Sequence, residues 1–202
     1  MTEIIGISPQ GLAQVLAKSA DKGAGGEPET LSTHTWLVLR RLADFAALRP
    51  TLPELLKQPD LWHILFWAAF LHDFGKAMPG FQFVLTSKDK LAREKNWGKH
   101  RHEVFSLAFA TWVWDAFTPA QREWLIAAIV SHHKDAKEIE NQYEIYNEIT
   151  GEELKAQLSQ LLPETITLLW DWLKDDAMIW AQQLGFVDLG VKPITLMSKP
   201  EA

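Results

Sequence analysis

The chain has 202 residues, 47% of them hydrophobic and 23% charged, which fits one globular domain with a substantial core and excludes global disorder, a fibrous repeat and a multidomain machine. It has no cysteine, so disulfides, thiol catalysis and thiolate metal sites are excluded, and any metal must be held by His, Asp or Glu. The net charge of -6 is unevenly spread: Lys76 to Arg101 carries seven Lys or Arg against Asp89 and Glu94, a local +5, whereas Lys134 to Glu164 carries three lysines against eight acids, a local -5.

In chain order, the first predicted element is a short helix near Leu12 to Ala17, followed by a glycine-rich loop from Asp21 that is interrupted by Pro28. Ser32 or Thr33 is expected to cap a helix running to about Leu48, with an apolar stripe of Leu31, Val38, Leu42 and Phe45; Arg49-Pro50 ends it. A second helix opens near Asp60 and carries Leu61, Leu65 and Ala68 to a stop at Gly75. Two more are expected from about Glu103 to Phe117 and from Pro119 to His133, the latter with Thr118 as cap and a first-turn proline. Helices near Glu152 to Leu162 and Glu164 to Leu184 follow. Strand signals are nearly absent and there is no internal repeat. The expectation is an all-α bundle over residues 1–185, with 186–202 as a tail or linker. Glu3 stands where a signal peptide would be basic, and no apolar run approaches the roughly 20 residues of a transmembrane helix, so a cytoplasmic protein without a membrane partner is expected.

Chemistry is concentrated in the histidines. His34 lies on the stripe of the first long helix, His72 continues the Leu61, Leu65, Ala68 stripe with Asp73 next to it, and His132 lies on the Leu125, Ala128 face with His133 adjacent. Any one inward histidine is ordinarily a hydrogen-bonded core residue. Several of them beside a carboxylate are costly to bury unless something pairs them, and a divalent cation does so. His100 and His102 compete for one role; two residues apart on a helix they cannot face the same way, and the His102-Glu103 pairing before an apolar helix favours His102. His63 falls half a turn away from His72 and reads as a surface or packing residue.

The ordered pieces are Leu16-Ala-Lys-Ser, Glu29-Thr-Leu-Ser-Thr-His34, Leu71-His72-Asp73-Phe-Gly-Lys76, Arg101-His102-Glu103 with Ser106, and Ser131-His132-His133-Lys-Asp135. Together they resemble the HD superfamily of metal-dependent phosphohydrolases, and more specifically the HD nuclease domain of type I CRISPR interference systems, which is fused to or partnered with the effector helicase. The resemblance covers about the first 135 residues. It implies that His34, His72 and Asp73 hold one divalent ion and that Asp73, His102, His132 and His133 hold a second, with Asp73 bridging. Imidazole with carboxylate suits Mn, Fe, Co, Ni or Zn more than Mg. Two such ions activate a water and stabilise a departing oxygen at phosphorus. Lys76 is then either a fixed catalytic cation or a solvated lysine favoured by the helix dipole. The family also has a further Asp downstream of the double histidine; Asp171, Asp175, Asp176 and Asp188 are available, none in recognisable wording.

The implied function is cleavage of single-stranded DNA within a CRISPR effector complex, together with a helicase subunit or domain. The alternatives are an HD phosphohydrolase acting on nucleotides and a degenerate HD module that only scaffolds partners. Lys88, Lys90, Arg93 and Lys95, with Phe81, Phe83 and Trp97 among them, match the mixture of phosphate attraction and stacking surface used for single strands, or else form an ordinary solvated loop. The ten tryptophans are expected mostly in the core, and the acidic run after Lys134 on a solvated face or a surface for a basic partner.

Overall fold

A computed structural model describes residues 12–98, 100–133 and 148–196. A 3-10 turn at Leu12–Gln14 leads into strand β1 (Leu16–Lys18), which pairs antiparallel with β2 (Glu29–Thr30), Leu16 opposite Thr30 and Lys18 opposite Glu29. The short helix expected near Leu12 to Ala17 is a single 3-10 turn in its first half and gives way to strand at Leu16 and Ala17. Strands of three and two residues are too short to leave an alternating pattern in the sequence. The fold is otherwise helical, as expected.

Helix α1 spans Leu31–Leu48. Its cap is Thr30, one residue before the helix, whose hydroxyl accepts the Thr33 amide at 3.2 Å; Ser32 and Thr33 lie inside the first turn. The buried face is Leu31, Thr35, Leu39 and Ala46, and Phe45 is 43% exposed, set edge-on to Trp62. After α2 (Leu52–Leu55), helix α3 (Leu61–Leu71) is buried nearly all round, since Trp62, Ile64, Phe66, Trp67, Phe70 and Leu71 are all inaccessible. Such a helix has no solvent face to keep polar and belongs at the centre of the bundle. It packs against α1 and α7 (Pro119–Val130).

Helix α3 ends at Leu71, earlier than Gly75, and a separate 3-10 turn covers Phe74–Ala77. Helices α4 (Pro79–Thr86) and α5 (Lys90–Asn96) carry the basic segment, Asp89 capping α5 through the amides of Leu91 and Ala92. Helix α6 (His102–Ala110) is followed by a 3-10 stretch, Thr111–Ala116, in place of one helix to Phe117. Thr118 and Gln121 form a full capping box at the start of α7. Helices α8 (Glu148–Leu158) and α9 (Pro163–Gln183) complete the described bundle. Residues 134–147, which carry four of the eight acids of the run after Lys134, lie outside the described residues.

The core is aromatic. Phe70 of α3 touches the rings of Phe66, Trp67, Phe74, Trp172 and Trp180, joining α3, the 3-10 turn and α9. Each such ring contributes on the order of 1.5–3 kcal/mol through burial. Seven tryptophans (62, 67, 97, 112, 170, 172 and 180) are core residues. The stretch from Phe186, which reads as a tail, places Phe186 and Val191 in the same core. No helix among the described residues is long and apolar enough to cross a membrane.

Candidate metal centre

Four elements converge on Asp73. The residue follows the C-terminal end of α3, and its carboxylate is fully buried. His34 comes from the first turn of α1, His72 from the end of α3, His102 opens α6, and His132 and His133 follow α7. The Nε2 atoms of His34 and His72 lie 3.1 and 3.2 Å from Asp73 Oδ2, whereas those of His102 and His132 lie 3.0 and 3.4 Å from Oδ1. Each oxygen therefore faces its own set of imidazoles. The ligand atoms fall into two groups, each within 4.8 Å: His34, His72 and Asp73, and Asp73, His102, His132 and His133. This is the division the resemblance implies.

Electrostatics agree with the crowding. Burial alone would raise the Asp73 carboxyl, but His72 beside it and the imidazoles of His102, His132 and His34 outweigh that and hold it well below the usual carboxylate range. Burial, opposed by Asp73, lowers His102. Partial burial, with His132 and His102 next to it, pushes His133 down to about 4, so that ring is neutral at ordinary pH. Neither oxygen of Asp73 accepts a hydrogen bond of good geometry even though imidazole nitrogens surround both. A buried carboxylate whose two oxygens are each crowded by imidazole nitrogens fits divalent cations, and the imidazole and carboxylate donor set suits Mn, Fe, Co, Ni or Zn.

Lys76 is buried, not solvated: its ammonium lies 2.8 Å from Asp73 Oδ2. Gly75 and Gln82 place this turn. The Gly75 amide donates to Ser106 Oγ at 2.8 Å, and Gln82 donates to the carbonyls of Lys76 and Leu16 at 2.6 and 2.9 Å while accepting the Leu16 amide at 3.0 Å. Gln82 thus ties α4 and β1 to the metal motif.

The other candidates separate cleanly. His100 lies between Trp97 and Phe105 as a packing residue, and His102 takes the site position. His63 is also a packing residue, against Phe117, its Nδ1 accepting the Lys192 amide at 3.2 Å. Lys88, Lys90 and Lys95 are exposed, and Lys88 and Arg93 line a groove of about 480 Å³ with Ser19, Asp21, Thr86 and Ser87. Trp97 requires a correction: it is 5% exposed, packed with Met78 and Phe105, and offers no face on which a base can stack. Phe83 is the exposed aromatic of that segment, at 37%. Of the four downstream aspartates Asp176 is buried, its carboxyl raised by burial and by Asp175, but it belongs to neither ligand group. The sequence places Glu29 in the same piece as His34 but gives it no role; its Oε1 lies 2.5 Å from His34 Nδ1, a contact that no helical spacing foretells because a strand residue reaches a helical one five positions on.

A helical bundle with a His-Asp doublet at a helix end, ringed by histidines from three further elements, defines a metal-binding hydrolase domain of the HD class. Residues 20–193 match the family described as Cas3, HD domain, and the chain belongs to that CRISPR-associated family. It matches no curated protein and no solved structure.

Proposed function

We propose that this domain is a metal-dependent nuclease that hydrolyses phosphodiester bonds, with single-stranded DNA as its preferred substrate, in type I CRISPR interference alongside a helicase subunit or domain. The observation that carries the reading is the division of Asp73: one oxygen toward His34 and His72, the other toward His102 and His132. His34, His72 and Asp73 would hold one ion, and Asp73, His102, His132 and His133 the other. Two bound ions of the Mn, Fe, Co, Ni or Zn type supply an activated water and charge stabilisation for the departing oxygen.

The chain's own residues do the rest. Lys76, held beside Oδ2, places a fixed positive charge where a reacting phosphate gains negative charge. Lys88, Lys90, Arg93 and Lys95 attract the backbone of a long substrate, for which a mononucleotide pocket has no use. The presence of both groups of metal-holding residues around Asp73 supports an active domain over one that only scaffolds partners.

The test is cleavage of circular single-stranded DNA, which has no ends, with Mn or Ni supplied. Cleavage that weakens steeply with salt supports the nuclease reading; preferential hydrolysis of mononucleotides replaces it with a nucleotide phosphohydrolase.

A further inference from the structure

We infer that Glu29 and Glu103 are positioning residues, each fixing the ring of one ligand histidine in one of the two ligand groups: Glu29 holds His34, and Glu103 holds His102. The inference rests on the metal-centre reading above and adds a division of labour among the residues behind the ligands.

The last turn of a helix leaves carbonyl oxygens free, and the first turn leaves amide N–H groups free. His72 and His132 follow the ends of α3 and α7, and each donates its Nδ1–H to a carbonyl three residues earlier, Ala69 or Ile129, at 2.6 Å. Their own helices therefore fix the ring and leave Nε2 toward Asp73. His34 and His102 stand in the first turns of α1 and α6, where the free backbone groups are donors and an imidazole N–H needs an acceptor from elsewhere. For His34 that acceptor is the Glu29 carboxylate, and beside His102 the Glu103 carboxylate stands at ion-pair distance. Glu29 Oε1 lies 2.5 Å from His34 Nδ1, and Glu103 Oε2 lies 3.3 Å from His102 Nδ1.

Each carboxylate is itself pinned by a cation. Lys18, opposite Glu29 in the two-stranded ladder, reaches it at 3.1 Å, and the Arg101 guanidinium grips Glu103 Oε1, its Nε at 2.7 Å. The hairpin that the sequence scarcely announces has a definite use in this account: it carries both Glu29 and the lysine that holds it. Acceptors of this kind fix the tautomer, make the ligating nitrogen a better donor, and cost about 10–100-fold in metal affinity when removed.

The experiment is Mn titration of the full chain by calorimetry without DNA, with paramagnetic resonance to separate a coupled ion pair from single ions. The wild-type chain should bind two ions and give a coupled signal. Glu29→Gln should weaken one ion about 10–100-fold, leave the other within about twofold, and convert the coupled signal to that of a single ion at limiting Mn. Glu103→Gln should do the same to the other ion. Combining Glu29→Gln with His34→Ala should add little to His34→Ala alone, since both act on one ion. Should Glu29→Gln disturb the hairpin, Glu29→Asp keeps the charge and should restore part of the affinity.

Wild-type binding of both ions by Glu29→Gln and Glu103→Gln, or equal weakening of both ions by either, overturns the inference. Because no DNA is present, a chain that binds two ions but does not cut DNA would refute the nuclease reading and leave this one standing. A chain that cuts DNA and whose Glu29→Gln variant binds ions normally would do the reverse.

Discussion

Ser106 accepts the Gly75 amide at 2.8 Å and donates its hydroxyl to the His102 carbonyl at 3.0 Å, so the turn after the His-Asp doublet rests directly on the backbone of α6. Gly75 is required there for closeness, since its backbone is not left-handed: a Cβ would lie 2.0 Å from the His102 carbonyl oxygen and 2.7 Å from the Ser106 amide. Backbone cannot swing aside as a side-chain tip can. Gly75→Ala should therefore cost about 1–3 kcal/mol or more of stability and should separate Asp73 from His102, weakening metal binding. Urea unfolding and Mn titration of the variant check this, and wild-type values in both would show that the contact does not set the site.

Lys76 tests the division between positioning and chemistry. With DNA saturating, Lys76→Gln should lower turnover by about 10²-fold, comparable to loss of one transition-state donor, while KM changes little. Steady-state kinetics on single-stranded DNA decide it. A rise in KM with unchanged turnover would make Lys76 a substrate-binding residue.

The basic residues of α5 and the turn before it should behave in the opposite way. Changing Lys88, Lys90, Arg93 and Lys95 together to Ala should raise the DNA concentration for half-maximal rate and flatten its salt dependence, with saturating turnover nearly kept. Loss of turnover with binding intact would put α5 within the active site.

His63 gives the fold a pH response away from the metal centre. Its Nδ1 must be unprotonated to accept the Lys192 amide, and burial lowers its pKa, with Lys192 acting in the same direction and Asp60 against it. The folded value thus lies below the unfolded value of about 6.5, and below that pH the unfolded chain binds more protons. The contribution is complete above about pH 6.5 and is lost as the pH falls. Thermal midpoints between pH 7 and 5 should fall less steeply for His63→Gln than for wild type; parallel slopes would assign the response to other groups.

The site was more legible than the fold around it. A metal site without cysteine needs His and Asp, and the ordered pieces that resemble the HD family make His72-Asp73, His102 and His132-His133 stand out in the sequence. Packing is decided by partners that the local pattern does not contain. Trp97 sits among lysines, yet Met78 and Phe105, from a different turn and a different helix, bury it. Phe45 has core spacing but faces outward because α1 turns Leu39 and Ala46 inward. The role of Glu29 is hidden for a related reason, since its bond to His34 depends on a hairpin whose two strands have only three and two residues and leave no periodic signal.

The central claim is that Asp73 joins two ion sites, one through each oxygen, and that these ions cut DNA. The most direct measurement is Mn stoichiometry and cleavage of circular single-stranded DNA for wild type and Asp73→Ala side by side, with circular dichroism confirming the fold. Wild type should bind two ions and cleave, and the folded variant should hold at most one ion weakly and cleave about 10³-fold more slowly or worse. Cleavage at the wild-type rate by Asp73→Ala would contradict it.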